Sequence, residues 1–171
     1  MNAPTLATHL HAILLRDLRG LRREIEAYPD DDAVWTVPPG VANSCGTLVL
    51  HLAGNLRLYA GHVIGGIAYE RDRPREFAAR GLPRAELLRE LDAAMDAVDR
   101  ALPRLTDAVL ASEFPQLIGT VRVNTQEFLL HCAAHLAYHL GQVDYHRRIT
   151  AGSSVTVATM APAELSSARA Q

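Results

Sequence analysis

Lysine is absent from the sequence, in which all 17 residues of the Lys and Arg group are arginine. A protein without lysine cannot form a Schiff base with a carbonyl substrate, and it lacks the lysine of a Walker-type phosphate loop. Cysteine is scarce as well, with only Cys45 and Cys132. Two cysteines are too few for a disulfide framework, and we expect both to be small packing residues rather than reactive thiols.

A strong excess of basic charge is also missing, because the formal net charge is −2 at pH 7. Proteins that bind nucleic acid usually carry a basic surface, so we expect no nucleic-acid partner. The longest apolar stretch, residues 48–67, is interrupted by histidines, Asn55, Arg57 and several glycines, which a membrane span rarely tolerates. The N-terminus has no basic run leading into an apolar segment. These absences predict a cytoplasmic protein that does not associate with a membrane.

What the sequence does contain is a set of long segments in which apolar residues recur every three or four positions, the period of an amphipathic helix. Such segments predict four helices, over about residues 5–28, 44–67, 83–103 and 124–149. Asn43 or Ser44 is expected to cap the second helix, and Asn124 the fourth. The charged residues of the first helix, Glu24 among them, lie off its apolar stripe and are expected to be solvated.

This pattern predicts an all-α protein, a four-helix bundle over residues 1–150. The connections 68–83 and 103–124 are too long for a minimal up-down-up-down bundle, and the second of them could contain a short β-hairpin or an extended crossover. The glycines of the second helix permit close approach of another helix or of a partner subunit. Residues 151–171 form a small, polar tail that we expect to be mobile or packed on a partner.

Histidines in two of the predicted helices indicate a metal site. His135 and His139 are four residues apart and therefore lie about one turn apart on one face of the fourth helix. His131 continues the series, and periodicity alone does not choose between the pair 131/135 and the pair 135/139. His51 is the strongest candidate for a third ligand, because it lies in the most apolar helix, where a bare imidazole is costly. Leu136 stands where a zinc metalloprotease of the HExxH class has its glutamate, so that mechanism lacks its general base.

Several other polar or aromatic side chains could line a pocket or support the ligands. The candidates are Asn55, Tyr59, His131, Tyr138 and Gln142. Asn55 and Gln142 each follow a candidate ligand by about one turn, where either could orient a ligand or a substrate. A packing role or a hydrogen bond between helices is the competing interpretation for each. The histidines expected to be exposed at polar positions are His9, His11 and His146.

The sequence from His135 to Gln142 has the form HxxxHxGQ and resembles the signature of the DinB/YfiT-like superfamily. Residues 43–57, which include His51, are similar to the second helix of that superfamily, and the charged loop 69–77 is similar to that of some members. The resemblance covers about residues 5–150. It implies a four-helix bundle with a divalent metal site, and it selects His51, His135 and His139 as the ligands. It also implies a homodimer.

The resemblance further implies a metal-dependent enzyme, because some members transfer a low-molecular-weight thiol such as bacillithiol, mycothiol or glutathione. Three neutral imidazoles leave a bound Zn²⁺ or Ni²⁺ its charge and an open position, where a thiol ionises and can attack an electrophilic small molecule. With water in place of the thiol, the same site could hydrolyse a substrate. Two alternatives stay open: a non-catalytic, dimeric metal-binding or stress-associated module, and a bundle without metal whose histidines are structural.

Overall fold

The computed structural model describes residues 5–169, and within that range the chain has seven α-helices and no β-strand. The long helices are α1 (Leu6–Glu26), α3 (Cys45–Leu56), α5 (Arg84–Ala101) and α7 (Thr125–Ala151). A π-helical segment, Arg57–Ile64, continues α3. The short helices in the connections are α2 (Asp31–Trp35), α4 (Arg73–Ala78) and α6 (Asp107–Ala111). The prediction of an all-α helical bundle is confirmed. No helix in the described range is long and apolar enough to span a membrane.

The ends of the two histidine-bearing helices are set by capping residues. Ser44, rather than Asn43, caps α3, and its hydroxyl oxygen accepts a hydrogen bond from the backbone N–H of Thr47 at 3.2 Å. Asn124 caps α7, as the sequence predicts. Gly152 ends α7 in the left-handed conformation, with φ of 59°, which a side chain would strain. These caps fix where the helices that carry the histidines begin and end.

The long helices enclose one core of aliphatic side chains. α1 contacts α5 and α7, and α3 contacts the same two helices, so α1 and α3 lie at opposite corners of the bundle. The buried side chains of α1 recur with the helical period, at Leu10, Leu14, Leu18, Leu21 and Ile25. Because α3 is a direct neighbour of α7, the predicted histidine faces of the two helices can meet.

Two glycines of the π-helical segment allow close packing against α5. A Cβ on Gly61 would lie 2.9 Å from the Cβ of Ala97, and a Cβ on Gly65 would lie 2.7 Å from the Cβ of Ala101. Both distances are shorter than real Cβ contacts. The sequence left open whether such glycines receive another helix or a partner subunit, and at these two positions the neighbour is α5 of the same chain.

The connection between α5 and α7 contains α6 and a hairpin-like loop. The backbone N–H of Phe114 donates to the carbonyl of Val123 at 2.9 Å, and Ile118 and Val121 exchange backbone hydrogen bonds of 3.0 and 3.2 Å. These contacts form isolated bridges rather than strands. Of the two predicted forms, the loop is therefore closer to the short hairpin.

The segment after α7 lies along α1 of the same chain. Gly20 leaves room for its backbone, since a Cβ at that position would be 2.2 Å from the carbonyl oxygen of Thr159. The Arg23 guanidinium donates to the carbonyl oxygens of Val157 at 3.1 Å and Ala158 at 2.8 Å. Within residues 5–169 the tail therefore packs on its own bundle, and a contact with a partner stays a prediction.

A buried ion pair fastens this segment to two helices. Nε of Arg147 donates to Oε2 of Glu24 at 2.5 Å, and the Thr159 hydroxyl donates to Oε1 of the same carboxylate at 2.5 Å. Arg147 also donates to the carbonyl oxygen of Val155 at 2.8 Å. Glu24 is fully buried, so the expectation that it is solvated was wrong. Its charge is tolerated inside the protein because a cation and a hydroxyl satisfy it.

Candidate metal centre

The structure brings His51, His135 and His139 together between α3 and α7. One ring nitrogen from each histidine lies within 4.8 Å of the other two. Nε2 of His51 and Nε2 of His135 are 3.3 Å apart, and the rings of His51 and His139 meet edge to face with centroids 5.6 Å apart. His51 is buried, and the two histidines of α7 are half-buried. The group is thus anchored in the core on the α3 side and partly accessible on the α7 side.

The separation of these nitrogens fits a transition-metal ion. Two nitrogens bound to a tetrahedral ion at about 2.0–2.1 Å lie about 3.3 Å apart, which is the separation of the Nε2 atoms of His51 and His135. Three histidine donors with a fourth position left open form a donor set found in catalytic zinc sites. The three-histidine group can therefore hold a metal ion. The assignment of these residues as ligands stays a prediction.

A buried carboxylate supports His51 from the side opposite the other histidines. Oε2 of Glu76, on α4, lies 3.2 Å from Nδ1 of His51. Because an ionised carboxylate can only accept, the hydrogen bond requires the imidazole hydrogen on Nδ1. Nε2 then keeps its lone pair and faces the other two histidines. A carboxylate in this relation to a histidine orients the ring and raises its basicity as a ligand.

Arg71 holds the Glu76 carboxylate in place. Its guanidinium donates from Nε to Oε1 at 2.6 Å and from Nη2 to Oε2 at 2.8 Å, a two-point contact that fixes the plane of the carboxylate. Burial by itself raises the pKa of Glu76, but the hydrogen bonds from His51 and Arg71 and the charge of Arg71 outweigh it and hold the pKa below its usual range. Nη2 of Arg71 is also 3.3 Å from Nδ1 of His51. Both nitrogens carry hydrogen when Nδ1 donates to Glu76, so this contact is not a hydrogen bond.

Gly54 makes room for this carboxylate. A Cβ at that position would lie 2.1 Å from Oε1 of Glu76 and 2.9 Å from its Cδ, and 3.4 Å from Nε of Arg71. Any side chain on residue 54 would therefore displace Glu76 from His51. A glycine inside a helix costs about 0.5–1 kcal/mol relative to alanine. At this position of α3, the absence of a side chain is what allows the carboxylate to be buried.

Gln142 supports His139 in the same way. Its side-chain Oε1 lies 2.6 Å from Nδ1 of His139. Since an amide oxygen accepts, Nδ1 of His139 carries the hydrogen and Nε2 is free to act as a donor atom toward an ion. Gln142 thus lies where the sequence predicted a supporting residue, one turn along α7 from a candidate ligand.

Burial favours the neutral form of the two histidines on α7. The pKa of His135 is lowered to about 4, first by burial and then by the positive charge that His139 and His51 would carry. Burial also lowers the pKa of His139, although its hydrogen bond to Gln142 acts in the opposite direction. At neutral pH both rings are therefore uncharged, which is the form that binds metal ions.

Two of the other predicted pocket residues border the histidines. The ring of Tyr138 is exposed and lies 5.1 Å from that of His139, edge to face. The ring of His131 is also exposed and stacks on His135 with centroids 6.1 Å apart. His131 does not belong to the group whose donor atoms converge. It is therefore a neighbour of the site, and the geometry favours 135/139 over 131/135.

Two further predicted pocket residues lie apart from the histidines. Tyr59 packs in an aromatic cluster with Phe114 and Phe128, at centroid distances of 6.1 and 4.9 Å, so its contacts are those of a core residue. Asn55 is half-buried, and no hydrogen bond joins its side chain to the histidines within residues 5–169. The competing interpretation, a packing role, is the one that the contacts of Tyr59 support.

His146 is buried, so the expectation that it is exposed was wrong. Its Nε2 donates to the carbonyl oxygen of Thr36 at 2.8 Å, which leaves Nδ1 to accept a hydrogen bond from the Tyr28 hydroxyl at 2.6 Å. Burial lowers the pKa of His146, although the hydrogen bond to Thr36 opposes this. Both ring nitrogens are satisfied within the protein, which marks this histidine as structural.

Sequence reasoning did not find Glu76, Arg71 or Gly54 as parts of the site. The only signal in the sequence was the charged loop 69–77, where arginines and acidic residues alternate near the end of the helix that carries His51. Nothing in that pattern says which carboxylate is buried. Its selection depends on Gly54, whose missing side chain opens the space that Glu76 fills.

The fold and the site together define a helical-bundle protein with a three-histidine group that can hold a transition-metal ion. The family model described as DinB superfamily matches residues 13–143, a range that contains His51, His135, His139 and Glu76. The chain belongs to the DinB superfamily. No curated protein matches the sequence.

Replacing Glu76 by glutamine should weaken Zn²⁺ binding by about 10- to 100-fold, the usual effect of removing such a supporting group. The neutral amide would interact more weakly with the N–H of His51 and would leave Arg71 without its counter-ion. Competition with a chromogenic zinc chelator measures the dissociation constants. The matched control is Glu70→Gln, an exposed carboxylate of the same loop, which should bind like the wild type. Wild-type affinity in Glu76→Gln would contradict the role given to Glu76.

Proposed function

We propose that this protein is a metal-dependent enzyme that transfers a low-molecular-weight thiol to an electrophilic small molecule. The observation that supports this most directly is the convergence of one donor nitrogen from each of three histidines on two helices. Burial lowers the pKa of the two on α7, His135 and His139. Two ring nitrogens that face each other at 3.3 Å can share only one hydrogen between them, whereas a cation would satisfy both lone pairs. Membership of the DinB superfamily supports the same proposal.

His51, His135 and His139 would hold the ion, for which Zn²⁺ and Ni²⁺ are the best matches to an all-nitrogen donor set. When bound, such an ion supplies positive charge and an open coordination position, which lower the pKa of a thiol or of water. Histidine binds a metal ion as the neutral imidazole, so these ligands would not cancel that charge. Glu76 and Gln142 keep the rings in the tautomer in which Nε2 is available.

Other side chains at the site would bind and orient the reactants. The ring of Phe77 lies 5.1 Å from His51 and that of Tyr138 lies 5.1 Å from His139, so aromatic surface borders the histidines on two sides. Such surface binds apolar groups and excludes water. The guanidinium of Arg73 lies 4.9 Å above the Phe77 ring and has no carboxylate partner within residues 5–169. It is therefore available to an anionic group of the thiol.

Conjugation of thiols to monochlorobimane tests the proposal. Protein purified without a histidine tag is stripped of metal, reloaded with Zn²⁺ or Ni²⁺ and incubated with bacillithiol, mycothiol or glutathione. We expect saturable conjugation with at least one thiol, lost on chelation and restored by the metal. His51→Ala is the matched variant and should lack the activity. An absence of metal-dependent conjugation with all three thiols would contradict thiol transfer to this electrophile class.

The alternative is a non-catalytic metal-binding or stress-associated module that acts as a homodimer. It shares the three histidines and differs in having no turnover, so the same assay separates the two. The homodimer itself is implied by the resemblance and stays a prediction, as does a cytoplasmic location.

A further inference from the structure

A cavity of about 370 Å³ lies between α3, α7 and the loop that precedes α3. Its apolar wall is formed by Val41, Leu48, Tyr145 and Ile149. Tyr145 and Ile149 stand at the rim and are exposed by 69% and 59%. Pockets that bind small molecules start at about 300 Å³, so the cavity has room for a group of one or two rings.

The cavity lies beside the three histidines, between the same two helices. Leu48 precedes His51 on α3 by three residues, and Gln142 follows His139 on α7 by three residues, so the cavity wall begins about one helical turn, roughly 5 Å, from the candidate ligands. Gln142 belongs to both, because its Oε1 accepts the hydrogen bond from His139 while its side chain lines the cavity. A molecule in the cavity would therefore lie about one helical turn from the candidate ligands, with Gln142 in contact with both.

The lining carries no formal charge. It contains no aspartate, glutamate or arginine, and the charged residues of the neighbouring turns of α7 are paired elsewhere, Arg147 with Glu24 and Arg148 with Asp144. His146 also lines the cavity, and both of its nitrogens are occupied by the protein, as described above. An ionic group buried here would have no counter-charge, so the part of a ligand that enters the cavity must be uncharged.

Two side-chain amides offer polar contacts at the same place. Gln142 uses its oxygen on His139, which leaves its NH₂ group to donate, and the Asn43 amide has no hydrogen-bond partner within residues 5–169. A few polar groups on an apolar wall are typical of pockets that orient a small ligand. A carbonyl or ether oxygen on the ligand would match these donors.

We propose that this cavity binds the uncharged, apolar portion of the electrophilic substrate, with a hydrogen-bond acceptor near Gln142 and Asn43. The inference rests on the proposed function, since it assigns the substrate class for the same centre. It implies that small aromatic or cyclic electrophiles are preferred over anionic ones. The thiol then approaches from the Phe77 and Arg73 side of the histidines, where the free guanidinium lies.

Binding of the uncharged fluorescent probe 6-propionyl-2-(dimethylamino)naphthalene, which has two fused rings and a carbonyl oxygen, to the full, metal-free chain tests the cavity without requiring turnover. We expect saturable binding to the wild type. Ile149→Asp places a carboxylate in the apolar wall and should weaken binding at least about tenfold. The matched control is Leu130→Asp, which changes another exposed apolar residue of α7 outside the cavity and should alter binding by no more than about twofold. Ala42→Trp, which fills the cavity from the loop, should also weaken binding, with melting curves to verify that each variant is folded.

The outcomes separate this inference from the proposed function. Equal loss of binding in Ile149→Asp and Leu130→Asp, or no saturable binding to the wild type, would overturn the cavity assignment even if thiol conjugation occurs. Probe binding with the expected pattern, but no conjugation with any thiol, would support the cavity as a binding site and contradict the proposed transfer reaction. When both occur, the KM for the electrophile should rise in Ile149→Asp at least about tenfold with kcat nearly unchanged, because residue 149 binds and does not react.

Discussion

Replacing His139 by alanine should eliminate high-affinity metal binding. Zinc sites with four protein ligands gain about 10–16 kcal/mol from the ion, or about 3 kcal/mol for each ligand. Loss of one of three ligands should therefore raise the dissociation constant of Zn²⁺ by at least about 100-fold. A competition titration measures this, and elemental analysis of protein purified without a histidine tag gives the bound metal directly. The fold should persist, because His139 is half-buried and its ring is not part of the apolar core.

His131→Ala is the informative control for that experiment. His131 lies on the same helix and was the alternative partner of His135, but its nitrogens are not in the converging group. We expect Zn²⁺ affinity to change by less than about threefold, a change typical of a substitution at an exposed position. A loss of Zn²⁺ affinity as large as that in His139→Ala would show that His131 is a ligand. Equal and negligible metal in the wild type and in His139→Ala would leave only a structural role for the histidines.

The histidines of the site could be predicted because their relation is local. A separation of four residues on a helix fixes two side chains one turn apart, whatever the tertiary structure. His51 was found because an imidazole in an apolar helix needs a partner. The choice between 131/135 and 135/139 needed the family signature, since both pairs have the same spacing. Only the rotation of α7 against α3 distinguishes them.

The groups that support the site could not be predicted in this way. Glu76 is one of several charged residues in its part of the chain, and its burial depends on a glycine 22 positions earlier, at residue 54. The same holds for Glu24, which was expected to be solvated because it lies off the apolar stripe of α1. Its partner Arg147 is 123 positions away in the sequence. Helical periodicity reports which residues share a face, but it does not report which charge on another helix will meet them.

That ion pair leads to the largest expected loss of stability. Arg147→Met would leave the Glu24 carboxylate, which is fully buried, with only the Thr159 hydroxyl as a partner. Removing one member of a buried pair typically costs about 3–5 kcal/mol, since the remaining charge is uncompensated. Urea denaturation followed by circular dichroism measures the free energy of unfolding. Arg148→Met is the matched control on the next residue, because Arg148 pairs with Asp144 near the surface and should have little effect.

The double variant Glu24→Leu with Arg147→Met distinguishes a charge effect from a packing effect. If the cost of Arg147→Met comes from the isolated carboxylate, replacing Glu24 as well should recover most of the lost stability. Recovery should be incomplete, because the carbonyl of Val155 loses its partner in both variants and the hydroxyl of Thr159 loses its partner in the double variant. Limited proteolysis should then cut the segment after α7 faster than in the wild type. A double variant no more stable than Arg147→Met would mean that Arg147 acts through packing. Unchanged proteolysis would mean that the other contacts of the segment with α1, those of Arg19 and Arg23 among them, suffice to hold it there.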